Sequence, residues 1–461
     1  MAKFGSMHTP DTACICMYMA QRDLSVVVYG ATGFTGRLIA SYLATRGGVG
    51  RIGLAGRRRE ALEAVAAETA RPGWEPEVLV AAADDEAALS ALAARARVVI
   101  SAAGPYTLCG TPLVAACVAS GTDYVDINGE VPWVRGLIDR FDAEAARSDV
   151  RIVPCCGYSV PTDLGTLATV EALRRRHGED ARSVHSFMFF NGRLSGGTMA
   201  TGIVLDTAAE EVQAQRRDPF LLGGAPPGGA RPEDDEPSGA QFEERLGVWT
   251  APFWMSSIDS RVVRRSHALF REQQQQPPPP QQGAVGGYGA QFGFRECALA
   301  RDEGVARGMA APMAAVERRQ KMIARGKLPG PGEGPSAEVR ARSWFRLFLL
   351  GESEGGRRLL TSVGGGDPGY DVTSKAVAEA ALLLAHRREE LPHRRRFGAH
   401  GGAGGVLTPA FALGLPLLDE LTSRGIVEVG EANEGDDLAA LVRDGIARPP
   451  RCSLAAGLEL D

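Results

Sequence analysis

The chain has 461 residues, of which 44% are hydrophobic and 23% are charged, a balance typical of a globular protein with two domains. The net charge of -5 and the pI near 5.9 exclude a general nucleic-acid-binding protein, which needs a basic face. Eight cysteines without a CxxC pair and seven histidines without HxxxH or HExxH spacing argue against a disulfide framework and predict no metal site.

The first 23 residues are predicted to be a disordered leader. Their centre is weakly apolar and follows one early lysine, which is a poor pattern for a signal peptide, and a transit segment is the alternative. The chain has no apolar run of roughly 18 residues, the length that a membrane-spanning helix requires. A cytoplasmic protein with reduced thiols is the expectation.

Residues 24–156 alternate between short apolar runs and alanine-rich helical stretches. The predicted strands are 24–30, 51–55, 77–81, 97–101, 123–127 and 150–154. The predicted helices include one that begins near Gly33 and those near 59–69, 84–95, 111–120 and 133–148. Six strands separated by helices predict a Rossmann-like, doubly wound parallel sheet.

A glycine-rich turn follows the first predicted strand. Glycines at a strand-to-helix junction permit a tight turn and let the backbone approach a pyrophosphate, which the helix N-terminus also attracts. The candidate cofactor-binding residues of this turn are Gly30, Thr32, Gly33, Phe34, Thr35 and Gly36. This motif predicts a dinucleotide site because it lies between a strand and a helix of one βαβ unit.

The choice of cofactor is indicated at the end of the second strand. Sites that prefer NAD place an acidic residue there, but this chain has Arg57 and Arg58. Arginines pair with the 2′-phosphate of NADP(H) through charge-assisted hydrogen bonds, so NADP(H) is the predicted cofactor. A solvated helix start is the alternative interpretation.

The fourth and fifth strands end in further candidates. Ser101, Gly104 and Pro105 are assigned to the cofactor site because small residues at this edge leave room for the nicotinamide ribose, and Tyr106 is either a wall of the site or core. Asp126 and Asn128 could bond ribose or substrate, or be structural.

After Gly157 the regular alternation stops, and 157–390 is predicted to be a second domain. A helix is expected at 162–176, a strand at 184–192 and a helix start at 196–202. Strands are then expected at 344–350 and 357–363, and helices at 372–388 and 410–424. Disordered insertions are predicted near 222–240 and 271–285, and 327–336 also has the composition of a loop.

Several segments together resemble the saccharopine dehydrogenase-like superfamily, and most of all its branch of trans-acting enoyl reductases and eukaryotic saccharopine dehydrogenase-like oxidoreductases. The segments are YGATGFTGRLIASYL, LAGRRREAL, SAAGPYTLCGTPLVAACVASGTDYVDINGE, CCGYSVPTDLG, SGGTMATG, GGDPGYDVTSKAVAEAAL and GVLTPAFALG. They extend from residue 24 to about 424.

The resemblance implies a Rossmann domain joined to a mixed α/β (α+β) domain, with helices of 391–461 returning to the Rossmann domain. It also implies NADP(H) on the glycine turn and Arg57. The bacterial branch is associated with reduction of a double bond in lipid or polyketide intermediates, and the eukaryotic branch with lipid droplets and membranes. The family form GYDSIPSD is here Gly157-Tyr158 followed directly by SVPTD, so one acid is missing.

Tyr158 and Asp163 are the catalytic candidates, since they follow the sixth strand at the edge where substrate meets cofactor. Tyr158 could donate a proton, while Asp163 could instead cap the helix that starts beside it. Cys155 and Cys156 lack a neighbouring histidine and are not predicted nucleophiles. The loop at 364–370 either shapes the site or forms a turn with a helix cap.

The leading hypothesis is an NADP(H)-dependent oxidoreductase that reduces a C=C or C=O bond of a hydrophobic, lipid-like substrate. The alternatives are a saccharopine-type amino-acid dehydrogenase, which needs a cationic clamp, and a non-catalytic NADP(H)-binding scaffold. Peripheral contact with a membrane or lipid droplet and a homo-oligomer are compatible with the sequence. Nucleic acid is not an expected partner.

Overall fold

The computed structural model describes residues 22–223, 225, 229–274, 288–290, 292–311, 315–330, 332–392 and 402–453. Most of the predicted leader and the Gln/Pro tract from residue 275 onward lie outside the described residues.

The first part of the chain forms the six strands and the helices that the sequence predicts. In chain order the elements are β1 Leu24–Tyr29, α1 Phe34–Arg46, β2 Ile52–Gly56, α2 Arg59–Glu68, β3 Glu77–Val80, α3 Glu86–Arg95, β4 Ala96–Ser101, α4 Tyr106–Cys109, α5 Thr111–Ser120, β5 Asp123–Asp126, α6 Val131–Arg147 and β6 Arg151–Val153.

The middle of the chain mixes helices with both short and long strands. Its elements are α7 Val160–His177, β7 Ala181–Phe190, α8 Gly196–Asp206, α9 Glu210–Arg217, β8 Gln241–Glu243, β9 Val248–Ala251, α10 Ser256–Gln274, β10 Gly293–Ala300, α11 Glu303–Met309, α12 Val316–Ala324 and α13 Ala337–Ala341.

The last part contributes to both halves of the molecule. Its elements are β11 Phe345–Ser353, β12 Arg358–Gly365, α14 Asp371–His386, β13 Gly405–Val406, α15 Pro409–Ala412, α16 Leu415–Ser423, β14 Val427–Glu431 and α17 Leu438–Ala447. Three short 3-10 turns occupy Pro232–Asp234, Arg388–Glu390 and Arg451–Ser453.

Two seven-stranded sheets organise the described residues. The first has the order β13-β6-β5-β4-β1-β2-β3 and is parallel throughout. Every residue of β1 is buried, as expected for a strand covered by helices on both faces. The second has the order β14-β12-β11-β7-β10-β9-β8, where only β7 and β10 are parallel. The predicted class, a Rossmann-like sheet with a second mixed α/β domain, is confirmed.

Two buried helices each cover one of the sheets. Helix α7 packs against β7, β11 and β12 of the second sheet, and α14 packs against α1, β1, β4 and β5 of the first. One apolar core cluster includes Val28 of β1, Leu164 of α7, Leu347 of β11 and Ala376 of α14, so the core runs through both sheets without a break.

The structure differs from the predicted division at the C-terminal side. Helix α14 lies on the first sheet although 157–390 was assigned to the second domain, because its small side chains pack closely on the strands. Residues 391–461 do not only return to the Rossmann domain. Strand β13 joins the first sheet beside β6, whereas β14 extends the second sheet.

Three local expectations are also corrected. The helix predicted at 410–424 is two helices, because Gly414 has a φ of 61° and Pro416 follows it. The described residues of 229–240 are ordered, since Asp234 accepts from the Phe294 N–H and lies beside Arg264. The leader prediction ended at residue 23, but Arg22 already donates to the Ser120 carbonyl at 2.6 Å.

Candidate cofactor and substrate site

The turn after β1 is built from two close backbone approaches. Gly30 has a φ of 82°, and a Cβ there would lie 2.8 Å from the Ala103 nitrogen. A Cβ on Gly36 would lie 2.2 Å from the Gly30 carbonyl oxygen. Only glycine fits at both positions, so the start of α1 is held directly against the turn.

Free backbone donors face outward from this turn. The N–H of Gly33 donates to the Gly30 carbonyl at 3.0 Å. The N–H groups of Thr32, Phe34 and Thr35 have no acceptor among the described residues. These donors and the positive end of the 13-residue helix α1 fit a pyrophosphate, so the turn passes the structural test for a dinucleotide. Gly36 lies behind the turn and is not among the residues that line the large cavity in front of the turn.

Two arginines at the end of β2 contribute to the wall of the same cavity. Arg57 and Arg58 are exposed and line it, and neither forms an ion pair with any described residue. Arg59, by contrast, lies 3.8 Å from Glu63. Two unpaired guanidinium groups at this edge are free to bind a phosphate.

The end of β4 lies opposite the glycine turn. Gly104, Pro105 and Tyr106 line the cavity, whereas Ser101 is buried and does not, its carbonyl accepting from the Tyr106 hydroxyl at 2.9 Å. The buried carboxylate of Glu130 accepts from the N–H groups of Tyr106 and Thr107, both at 2.8 Å. Tyr106 is therefore core on one side and cavity wall on the other.

Asp126 and Asn128 have structural partners. Asp126 is fully buried, and its carboxylate accepts from the N–H groups of Asn128 and Cys155 and from the Tyr124 hydroxyl. Burial raises the pKa of Asp126 to about 6. Asn128 lines the cavity, but its side-chain oxygen accepts from the Glu130 N–H at 3.0 Å. These bonds hold the strand edge in place.

One cavity of about 1440 Å³ joins the nucleotide turn to a second, mainly apolar half. The walls of this half come from α10, α8 and the ends of β7 and β6. They include Phe190, Leu205, Trp254, Met255 and Ile258. A cavity of this volume has room for a dinucleotide and a second molecule beside it.

Tyr158 lies in this apolar half. Its ring is 6.2 Å from that of Trp254, and its buried hydroxyl has no hydrogen-bond partner among the described residues. Burial and the charges of Asp259 and Glu296 raise the pKa of Tyr158 well above its ordinary value, so the phenol keeps its proton at neutral pH.

Asp163, the other catalytic candidate, does not line the cavity. Its buried carboxylate accepts from the Ser266 hydroxyl at 2.6 Å and from the Ala410 N–H at 2.7 Å. The carboxylate thus caps α15 rather than its own helix, a contact made across 247 positions of the chain. Burial raises the pKa of Asp163 to about 7.

An acid that sequence reasoning missed lies close to Tyr158. Ser159, which lines the cavity, donates to Asp259 of α10 at 2.5 Å. The segment after Tyr158 lacks the acid expected from the resemblance, and Asp259 brings a carboxyl to this place from 100 positions further along. The sequence contains no local pattern that links the two residues.

The glycine-rich loop after β12 closes the cavity from the second sheet. Pro368, Gly369 and Tyr370 line it, and the Tyr370 hydroxyl accepts from the Ser195 N–H at the start of α8. Tyr370 also packs edge-on against Phe34 of the nucleotide turn, with 5.1 Å between ring centres. Asp367 accepts from the Tyr370 N–H. The loop therefore both caps the start of α14 and forms part of the cavity wall.

The described part of the chain contains no cluster of three or more histidine, cysteine or acidic side chains able to hold a metal ion. Among the same residues, no helix combines the length and apolar character needed to cross a membrane.

Comparisons with known proteins identify the relatives of this chain. Residues 26–153 match the family model of the saccharopine dehydrogenase NADP binding domain. A Mycobacterium tuberculosis H37Rv protein named as a trans-acting enoyl reductase is 37% identical over 440 residues, covering 89% of this chain and 98% of that protein. The trans-acting enoyl reductase of Mycobacterium bovis BCG is 33% identical over 443 residues, with the same coverage. Saccharopine dehydrogenase from Saccharomyces cerevisiae has a TM-score of 0.47 and 14% identity, covering 88% of this chain and 99% of that one.

The NADP-binding Rossmann sheet, its glycine turn and the adjoining cavity define an NADP-dependent oxidoreductase. The chain belongs to the saccharopine dehydrogenase-like oxidoreductase family, in the branch of the trans-acting enoyl reductases. The predicted family and the predicted cofactor, NADP(H), are confirmed.

Proposed function

We propose that the protein reduces a polarised C=C bond of a hydrophobic, lipid-like acyl substrate, with reduction of a C=O bond as the alternative outcome. The observation that carries the proposal is Tyr158, a residue that lines the same cavity as the nucleotide turn and whose buried hydroxyl has no hydrogen-bond partner among the described residues. The names of the mycobacterial relatives support the choice of an enoyl group.

In this proposal the Rossmann half holds the cofactor. The N–H groups of the glycine turn bind the pyrophosphate, and Arg57 and Arg58 bind the 2′-phosphate. Gly104 and Pro105 leave space for the nicotinamide, and Ser101 and Gly36 act from behind by holding the backbone in position. Bound NADPH supplies a hydride.

Tyr158 then supplies the proton. Its O–H bond breaks as a C–H bond forms on the substrate carbon next to the carbonyl, while the hydride goes to the adjacent carbon. The apolar walls around Tyr158 bury its hydroxyl, and this burial raises the pKa and keeps the phenol protonated until substrate arrives. Asp163 has no part in this step, because its carboxylate faces α15.

The mouth of the cavity supports a hydrophobic substrate. Three of its side chains are large, apolar and exposed, namely Leu108 at 69%, Leu194 at 40% and Trp254 at 40%. Leaving such side chains in water is costly unless a ligand covers them. A long acyl chain lying across this mouth would cover them, and a peripheral contact with a membrane or lipid droplet would form at the same place.

A saccharopine-type dehydrogenase is less well supported. That reaction needs cations to bind substrate carboxylates, and the apolar half of the cavity contains Arg193 and Arg216. Arg216 is already bonded to Asp206 at 3.0 Å. Of these two arginines, Arg193 alone has no ion-pair partner among the described residues. A single cation at the exposed mouth is a weak clamp for a substrate with several carboxylates.

The proposal is tested by NADPH oxidation with a trans-enoyl thioester and the matching β-keto thioester, each with a short and a long acyl chain. We expect oxidation with the long-chain enoyl thioester and a higher KM for the short one. Oxidation with the keto thioester alone would reassign the bond to C=O. Tight NADPH binding without oxidation by any of the four would favour the non-catalytic scaffold.

A further inference from the structure

Two acidic side chains lie beneath Tyr158 in the interior. Asp259 of α10 and Glu296 of β10 are both 0% exposed. Glu296 accepts from the Ser186 hydroxyl at 2.9 Å and from the Thr162 hydroxyl at 3.1 Å. The second carboxyl oxygen of each acid has no hydrogen-bond partner among the described residues when both acids are ionised.

The surroundings of this pair are acidic as well. The charges of Asp163 and Glu236 also act on Asp259, and the charge of Glu236 acts on Glu296 as well. Neither acid forms an ion pair with a described residue, and two adjacent buried carboxylates in that situation cannot both be ionised, so the pair retains at least one proton. A hydrogen bond then joins the two side chains, and burial raises the pKa of Asp259 to about 7 and that of Glu296 well above its usual range.

The pair is connected to the cavity through one hydroxyl group. Ser159 lines the cavity beside Tyr158 and contacts Asp259 at 2.5 Å. Asp259 and Glu296 are also the largest electrostatic influences on Tyr158, ahead of Asp367 and Tyr370. A change in the protonation of the pair therefore changes the electrostatic potential at the Tyr158 hydroxyl.

We propose that the Asp259–Glu296 pair is the proton reservoir that restores Tyr158 after each turnover, with Ser159 as its connection to the cavity. This inference rests on the proposed function, in which Tyr158 becomes a phenolate when it protonates the substrate. The O–H bond of protonated Asp259 breaks, Ser159 takes that proton and releases its own, and cavity water carries the released proton to the phenolate oxygen. Asp259 remains as a carboxylate bonded to protonated Glu296 until solvent supplies the next proton.

The test compares wild type with Glu296→Gln and Ser159→Ala, using the full chain with bound NADPH. Glu379→Gln is the matched control, because Glu379 is also buried and accepts from a tyrosine hydroxyl, that of Tyr42, but does not line the cavity. Infrared difference spectroscopy against pH measures protonated carboxyl groups and needs no substrate. Stopped-flow oxidation of NADPH by a long-chain trans-enoyl thioester measures the first turnover and the later ones separately.

We expect protonated-carboxyl absorbance at neutral pH in wild type and the control; in Glu296→Gln the part that belongs to the pair should be lost, while the part that belongs to other buried acids, such as Asp163, should remain. Ser159→Ala should complete the first turnover at the wild-type rate and then slow by about tenfold or more, giving a burst of one NADPH per protein. The same protonated-carboxyl absorbance in Glu296→Gln as in wild type, or equal slowing of every turnover, would overturn the inference. If wild type does not oxidise NADPH with this probe, the proposed function fails, and the infrared result alone decides whether the pair stores a proton.

Discussion

Gly36 lies so close behind Gly30 that a Cβ at position 36 would be 2.2 Å from the Gly30 carbonyl oxygen. The obstructing atom belongs to the backbone of the nucleotide turn, which therefore has to move if any side chain is added. This contact sets the direction in which the N–H groups of Thr32, Phe34 and Thr35 point.

Gly36→Ala should displace the turn and weaken NADPH binding by about tenfold or more, together with a loss of roughly 1–3 kcal/mol in the free energy of unfolding. Fluorescence titration with NADPH and thermal unfolding measure the two effects. Gly136→Ala is the control, because Gly136 lies in α6 and a Cβ there meets no atom within 4 Å. Wild-type affinity in Gly36→Ala would show that the turn does not hold the pyrophosphate.

The double variant Arg57→Ala, Arg58→Ala should lose about 10- to 100-fold in NADPH affinity, since a hydrogen bond to a charged group typically contributes about 1.5–3 kcal/mol. NADH affinity should be unchanged, because NADH lacks the 2′-phosphate. Parallel titrations with both nucleotides check this selectivity. Arg59→Ala, which removes a cation already facing Glu63, should behave as wild type, and an equal loss for NADH and NADPH would rule out a 2′-phosphate site.

Tyr158→Phe should separate activity from stability. Loss of the proton donor should reduce kcat by about 10²- to 10⁴-fold. Stability should stay the same or increase, because the removed hydroxyl is buried and has no described partner. Tyr42→Phe, which removes a hydroxyl bonded to Glu379, should instead lower the free energy of unfolding by about 1–3 kcal/mol. Full activity of Tyr158→Phe would exclude this tyrosine as the donor.

Much of the Rossmann half is predictable from sequence because each of its central strands is buried on both faces. In β1 every position is therefore apolar or small, and the glycine turn follows at a fixed distance. The break between α15 and α16 at Gly414 is also predictable from sequence, since a glycine with a proline two positions later favours the end of a helix.

The substrate half depends on contacts between distant segments. Ser159 meets Asp259 across 100 positions, and Asp163 meets Ala410 across 247. Neither pair leaves a periodic or motif pattern in the sequence. Strand β10 was not predicted, since it follows the Gln/Pro tract and forms between β7 and β9, strands that are distant from it in sequence.

Asp163 should make stability fall as the pH rises. Its pKa is about 7 in the folded protein and 3.8 as the ordinary value, so between about pH 4 and 7 the folded state binds more protons than the unfolded state. The free energy of unfolding should decline through this window by up to about 1.4 kcal/mol per pH unit for this group. Denaturant unfolding at several pH values should show a shallower decline in Asp163→Asn. An unchanged slope would mean that Asp163 is already ionised in the folded protein.

Transfer of deuterium from NADPH labelled at C4 of the nicotinamide tests the central claim most directly. With a long-chain trans-enoyl thioester, wild type should place deuterium on the substrate carbon two positions from the carbonyl, and Tyr158→Phe should do so far more slowly. A saturated product that carries this label would establish hydride transfer from NADPH to the C=C bond. Bound NADPH together with unlabelled, unreduced thioester would contradict the account.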